Sequence, residues 1–461
     1  MSGSTHFIGV GGTGLSAIAR VLLERGETVT GSDKEDSALA LGLALAGVRV
    51  TIGHDAHNVN GATRVIRSSA VDDNNVEVRA ALDQGLPVYK RADFLGELLA
   101  DQQVIAVAGS HGKTTTSAMI AWILTALNQH CGYILGSVSK NLGANAAAGA
   151  GRLFVIEADE YDYMFLGLSP KIALLTNVEH DHPDLFPTSE AFADAFRKFV
   201  DRVQPNGNVV GCLDDRGAAE ILDYARSQSK ETVSYAHSHT NADYAANNLR
   251  SQRDGYRFEF AKKGHALVEV SLQVPGMHNV LNATGALVVA DLLDLPLEVA
   301  ALALADFRGT GRRFEVRGEA AGVTIVDDYA HHPTEIRSTL AAARERFPGR
   351  RIWALWQPHT YSRTTTLFED YRKAFENADK VLVTNVYAAR ENKPADFEMR
   401  QLVAQINHPN VQFSPNLDEA RGALVHRLER GDVLIVMSAG DAIQISAEVY
   451  EALSGKEQAD A

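Results

Sequence analysis

Residues 106–116 read AVAGSHGKTTT and carry the densest set of groups suited to phosphate chemistry. A glycine-rich turn lets backbone N–H groups surround phosphate oxygens, and a helix beginning just after it adds a favourable dipole. Within Gly109, Ser110, His111, Gly112, Lys113, Thr114 and Thr115, the Lys113 ammonium can neutralise a β- or γ-phosphate and the Thr114 hydroxyl can ligate Mg²⁺. The spacing is shorter than the common GxxxxGK[ST] form, and the bland alternative is a tight turn carrying an exposed lysine.

Two acidic and imidazole clusters follow: VIEADEYD, with Glu157, Asp159, Glu160 and Asp162, and TNVEHDHPD, with His180, Asp181, His182 and Asp184. Carboxylate and imidazole beside a phosphate loop can complete a Mg²⁺ site. The HDH spacing alone also suits a zinc or di-metal hydrolase, and a solvated acidic loop would look the same. Near the N-terminus, Gly9-Val-Gly11-Gly12-Thr13-Gly14 fits GxGxxG, with Asp33 closing the next strand. That is a dinucleotide fingerprint, so a dehydrogenase stays open here. Further on, MHNVLNATGA offers His278, Asn279 and Asn282, either to read an adenine edge or to cap a helix. VDDYAHHPTEI sets Asp328, His331 and His332 before Pro333, a helix-starting residue. In QPHTYSRT, Arg363 offers a fork suited to a carboxylate.

These groups need strand ends to hold them. HFIGV, TVTGSD, VIAVA, LFVIEAD, KIALLTN, VTIVDD, RIWALW, KVLVTN and DVLIVM are apolar strand candidates, and helical stretches separate many of them. Ligands bind at the carboxyl ends of strands in open α/β sheets, where these polar clusters fall. The helix after HFIGV is set by Leu15, Ile18, Ala19 and Leu22 and stops at Gly26; the one after Gly112 shows Met119, Ile120, Ile123, Leu124 and Leu127 on one face. A less regular stretch with alternating strands such as YRFEFA and VEVSLQV is expected over about 230–275, and a frayed tail at GKEQADA. FRGTGRR marks a boundary.

The chain of 461 residues is long enough for two to four domains. A net charge of -14 opposes a nucleic-acid partner. Two cysteines, Cys131 and Cys212, point to no disulfide framework and to a reducing compartment. The absence of a signal-like start and of a run of about 18 apolar residues predicts a cytoplasmic protein without a membrane span.

Taken in order, HFIGVGGTGLSAIA, GSD, RSSAV, GSHGKTTT, EADEYD, TNVEHDH, HNVLNA, RRFE, DDYAHHPTE and QPHTYSRT resemble the Mur ligase family over nearly the whole chain. The resemblance implies an α/β protein of three domains, each on a mostly parallel sheet. A Rossmann-like N-terminal domain (1–99) would bind a UDP-sugar, and a P-loop ATPase-like central domain (100–308) would bind ATP. A Rossmann-like C-terminal domain (309–461) would receive the amino acid. It implies ATP- and Mg²⁺-dependent joining of L-alanine to the carboxylate of UDP-N-acetylmuramate, with no nicotinamide. Gly11, Gly12, Thr13 and Gly14 would face the diphosphate, and Asp33 and Ser69 the uridine end. Lys113, Glu157 and His182 would be catalytic, with Thr114, Glu157 and His182 on the metal. His278, Asn279 and Asn282 would lie by adenine, and Arg313 and Asp328 would reach ATP. His332, His359 and Arg363 would line the amino-acid side. Tyr161, Thr360 and Ser438 depart from the pattern of alanine-adding members, and EADEYD is what a recycling relative that adds a tripeptide tends to show.

Overall fold

The computed structural model describes residues 4–460, with side chains as far as 456. Three sheets succeed one another along the chain. The first has β1 (Ser4–Ile8), β2 (Thr28–Asp33), β3 (Arg49–Ile52), β4 (Arg64–Arg67) and β5 (Val88–Lys90) in the order β3-β2-β1-β4-β5, all parallel. Strand order reverses beside β1, the switch point at which such sheets leave a crevice. The glycine turn follows β1 and leads into helix Thr13–Glu24, whose buried Leu15, Ile18, Ala19 and Leu22 pack on the sheet; Gly26 beyond its end has φ +84°.

The second sheet has ten strands: β6 (Gln103–Ala108), β7 (Gly132–Ile134), β8 (Ala146–Ala147), β9 (Leu153–Glu157), β10 (Ile172–Leu175), β11 (Asn208–Cys212), β12 (Glu231–Ala236), β13 (Tyr244–Gln252), β14 (Gly255–Lys262) and β15 (His265–Leu272). Their order is β15-β14-β13-β12-β11-β10-β6-β9-β7-β8. The alternating strands expected over about 230–275 are present and more regular than expected: β13, β14 and β15 pair antiparallel and join the parallel part through β12. In β14 the alternation of buried Tyr256, Phe258 and Phe260 with outward Arg257 and Glu259 gives the period of two that a one-sided sheet requires. Helix Lys113–Ala126 buries more than the one face expected. Every residue from Thr114 to Ala121 is buried, because the sheet covers one side and helices Met277–Leu292 and Leu297–Ala305 the other.

The third sheet comprises β16 (Glu315–Ala320), β17 (Val323–Asp328), β18 (Ile352–Gln357), β19 (Lys380–Val383), β20 (Val411–Phe413) and β21 (Val433–Ser438), ordered β16-β17-β21-β18-β19-β20. All are parallel except β16. Pro333 begins helix Pro333–Arg346, as its fixed φ and missing N–H favour. The tail expected to fray is helical, Gln444–Asp460, and Lys456 donates to the Val425 carbonyl. Among the described residues no helix is long and apolar enough to cross a membrane.

Candidate functional site

The phosphate loop joins β6 to helix Lys113–Ala126, and its glycines are there because neighbours approach closely. A Cβ on Gly109 (φ +142°) would stand 2.0 Å from Thr176 Oγ1, and one on Gly112 (φ +79°) 2.6 Å from Asn282 Oδ1. Ser110 Oγ donates to the Glu179 carbonyl and accepts from the Glu179 N–H, which ties the loop to the segment after β10. Lys113 Nζ donates to the Gly109 carbonyl at 2.5 Å and to fully buried Glu160 at 2.9 Å. Burial alone would lower its pKa, but the Glu160, Asp159 and Glu157 carboxylates outweigh it and hold the ammonium charged.

Glu157, at the end of β9, accepts from Thr114 Oγ1 at 3.0 Å and from the Gly136 N–H at 2.6 Å. A hydroxyl and a carboxylate thus converge beside the loop, the oxygen donors a hard cation such as Mg²⁺ takes. His182, in a left-handed backbone conformation (φ 52°), places Nε2 3.7 Å from Glu160 Oε1. Of the three metal ligands expected from the sequence, Thr114 and Glu157 thus touch each other, while His182 stands beside Glu160, the partner of Lys113.

A cavity of about 470 Å³ opens beside the loop, lined by Thr115, Asn177, His278, Asn282, Arg313 and Asp328 among others. His278, Asn279 and Asn282 lie inside helix Met277–Leu292 and not ahead of it; its N-cap is Gly276, so neither asparagine is the cap. Asn279 donates to the Pro275 carbonyl and Asn282 to Asn279 Oδ1. Burial, reinforced by Arg313, drops the His278 pKa to about 4, and burial lifts Asp328 to about 6.

The ends of the second and third sheets meet across these groups. Arg363 is 2% exposed and the carboxylate its fork meets is Asp181: Nε donates to Asp181 Oδ1 at 2.6 Å, Nη1 to His359 Nδ1 at 2.9 Å and Nη2 to His182 Nδ1 at 3.2 Å. His332, expected beside His359 and Arg363, instead reaches the phosphate loop. Its ring lies 4.5 Å from that of His111, and its Nδ1 is 3.8 Å from Glu179. The ring packed on His359 is that of His331, at 5.8 Å. The reason is the helix start: His332 is the N-cap of Pro333–Arg346 and turns toward the central sheet, while His331 precedes it. Tyr161 packs edge-on against His182, donates to Asp184 and lies under the Arg390 guanidinium at 4.3 Å, so it faces the third sheet's loops.

On the N-terminal side, Gly11 N–H donates to Asp33 at 2.7 Å, closing the first glycine turn around Gly12 and Thr13. A Cβ on Gly14 would clash with Arg91, whose guanidinium pairs with Asp159 at 3.1 Å. Ser69 bonds to Asp162. Asp33 and Ser69, expected together, lie at the end of β2 and just after β4 and so stand on opposite flanks of β1. Sequence reasoning gave no separate role to Glu160, Glu179, Asp181, His331, Glu335, Arg91 or Arg390. In the sequence Glu160, Asp181 and His331 stand only as members of clusters, and Glu335 leaves a signal of its own, the third-position glutamate of a capping box that His332 completes.

Three family profiles match in succession: "Mur ligase family, catalytic domain" over residues 4–103, "Mur ligase middle domain" over 107–290, and "Mur ligase, glutamate ligase domain" over 312–440. The chain is 40% identical over 461 residues to a UDP-N-acetylmuramate–L-alanine ligase of Roseiflexus sp. (strain RS-1), covering 97% of this chain and 98% of that protein. It is 41% identical to the protein so named in Thermobifida fusca (strain YX), covering 98% and 97%. Among solved structures, a UDP-N-acetylmuramate-alanine ligase from Thermotoga maritima superposes with a TM-score of 0.83 at 28% identity, covering all of both chains. A murein peptide ligase from Psychrobacter arcticus 273-4 gives 0.74 at 25% identity, covering 98% and 99%.

Proposed function

The chain belongs to the Mur ligase family, and on that premise we propose that it uses ATP to join L-alanine to the carboxylate of UDP-N-acetylmuramate through an acyl phosphate. The observation that carries the reading is similarity at about 40% identity over the full length of proteins that bear that activity in their name. The geometry agrees with it: the phosphate loop, an oxygen-donor pair and a cationic junction meet where the strand ends of the second and third sheets converge.

A carboxylate does not react with an amine near neutral pH, because its leaving group is too poor. Transfer of the ATP γ-phosphoryl group makes a mixed anhydride; the amine attacks it, and phosphate leaves. The protein's work is positioning and charge stabilisation. In this proposal residues 1–99 hold the UDP-sugar, with Gly11, Gly12, Thr13 and Gly14 at the diphosphate and Asp33 and Ser69 at its flanks. Residues 100–308 hold ATP. Lys113 leaves Glu160 for the transferring phosphoryl group, while His278, Asn279 and Asn282 line the base end and Arg313 and Asp328 the cavity wall. Thr114 and Glu157, with His182 across Glu160, would hold Mg²⁺, which when bound neutralises phosphate charge. Residues 309–461 bring His331, His359 and Arg363 to the donor side, while His332 turns to the phosphate loop. On the donor side Arg363 holds Asp181 and His182 in place, and burial keeps His331 and His359 neutral; His359 accepts from Arg363, which leaves His331 as the lone-pair acceptor beside an incoming ammonium. A compartment where these substrates and reduced thiols are found, the cytoplasm, suits the two free cysteines.

One observation favours a second donor. Tyr161, which departs from the alanine-adding pattern in EADEYD, lies between His182 and Arg390 and so faces the donor side. The experiment is direct competition of L-alanine and L-Ala-γ-D-Glu-meso-diaminopimelate at equal concentration, with ATP and UDP-N-acetylmuramate, the products separated by mass. The alanine adduct should predominate; a predominance of the tripeptide adduct would reverse the assignment.

A further inference from the structure

His111, Glu179 and His332 form a cluster that the ligation chemistry leaves without a role as a set. Glu179 Oε2 lies 3.2 Å from His111 Nε2 and 3.8 Å from His332 Nδ1, and one ligand atom from each residue falls within 4.8 Å of the other two. A tetrahedral ion with bonds of about 2.0–2.1 Å spaces its ligands about 3.3 Å apart, so small side-chain movements would close the set. Among the described residues it is the only group of three His, Cys, Asp or Glu side chains this close.

The surroundings favour a metal of the zinc class over Mg²⁺. Two imidazoles and one carboxylate suit zinc, whereas Mg²⁺ takes oxygen donors. Glu335 Oε1 lies 3.3 Å from His111 Nδ1, so it can accept a hydrogen bond from Nδ1–H and leave the Nε2 lone pair on the side of Glu179. That is the carboxylate partner which orients metal-binding histidines. Burial keeps His332 neutral, with its pKa lowered to about 4, so its lone pair is free of a proton; the Thr334 N–H that it accepts is a long 3.3 Å. Against these, His111 binds a proton tightly between Glu179 and Glu335, and an incoming ion must displace it. His111 and Glu179 also line the 470 Å³ cavity, which leaves a fourth position reachable from solvent.

We propose that His111, Glu179 and His332 bind one zinc-class divalent cation, apart from the Mg²⁺ donors, and that the ion ties the phosphate loop to the start of helix Pro333–Arg346. The three ligands come from the phosphate loop, the segment after β10 and the third sheet's first helix, so the ion bridges two sheets that must separate to exchange substrates. Occupancy should therefore slow turnover and raise thermal stability. The inference does not depend on which amino donor is used.

The test uses the full chain, loaded with Zn²⁺ in the presence of saturating Mg²⁺ at mildly alkaline pH and dialysed. Metal per chain is then measured, and Co²⁺ is substituted as a spectroscopic probe. Wild type should retain one zinc per chain and show the intense visible bands of tetrahedral Co²⁺. Glu179→Gln and His332→Ala should lose both, while His57→Ala, which alters an exposed His–Asp pair, should keep them. Glu179→Gln keeps the side chain's shape and an acceptor for Thr334, so it decides the matter if His332→Ala fails to fold. Retention by Glu179→Gln equal to wild type, or a wild type that retains no zinc and gives only octahedral Co²⁺ spectra, overturns the proposal.

Discussion

Replacing Arg363 by alanine should disable the junction between the second and third sheets, and the structure gives the size of the effect. Arg363 and Asp181 are 2% and 3% exposed and meet at 2.6 Å. Removing one member of a buried pair leaves the other charge uncompensated, at a cost of about 3–5 kcal/mol. The sheets can escape that cost by separating, so it should appear as a loss of the closed arrangement, from roughly 10²-fold to a few thousand-fold at about 1.4 kcal/mol per decade. The assay is kcat/KM for the amino donor at saturating ATP. The pH dependence has a definite sign. In wild type Arg363 holds the Asp181 pKa well below the carboxylate range against the effect of burial, so the pair's stabilisation is lost only as pH falls below about 4. In Arg363→Ala burial loses its chief opponent, leaving only the neighbouring histidines and the His182 N–H against it, and that pKa should rise. The deficit should then be smaller at pH 5 than at pH 8, with a slope of at most about 1.36 kcal/mol per pH unit. Adding Asp181→Asn removes the orphaned charge and should recover part of the loss. Wild-type kinetics in Arg363→Ala, or a double variant no better than the single one, would refute the reasoning.

Lys113→Ala should lower turnover by at least about 10²-fold without unfolding the chain, since it removes a preorganised charge at a phosphoryl transition state; circular dichroism and ADP release check both halves. Glu157→Ala and His182→Ala should each raise the Mg²⁺ concentration for half activity, and an unchanged Mg²⁺ titration in both would dismiss their metal role. His111 is buried, which opposes charge, yet Glu179 and Glu335 raise its pKa to about 9. Its contribution is therefore complete below about pH 6.5 and is lost as pH rises through 9. Thermal melts of wild type should fall over that window, and those of His111→Gln should lack this decline.

Much of the local structure was legible in the chain. GSHGKTTT after an apolar run has one economical outcome, a strand, a tight turn and a helix N-terminus, because glycine spacing and hydrophobic period are local properties. The alternation along YRFEFA is equally local, yet its membership of the large central sheet is not: β13 joins that sheet through its neighbour β12, and β12 in turn pairs with β11 across an intervening helix. Side-chain partnerships were less legible still. Arg363 reads as a free fork in QPHTYSRT, and only the approach of the segment after β10 shows that Asp181 occupies it. His331 and His332 are adjacent and alike in sequence; the N-cap between them sends one to His359 and the other to His111. Sequence thus determined which groups stand at strand ends and what chemistry they could support. Tertiary structure alone decided which face one another, because those pairings span sheets whose distance in the chain carries no local signal.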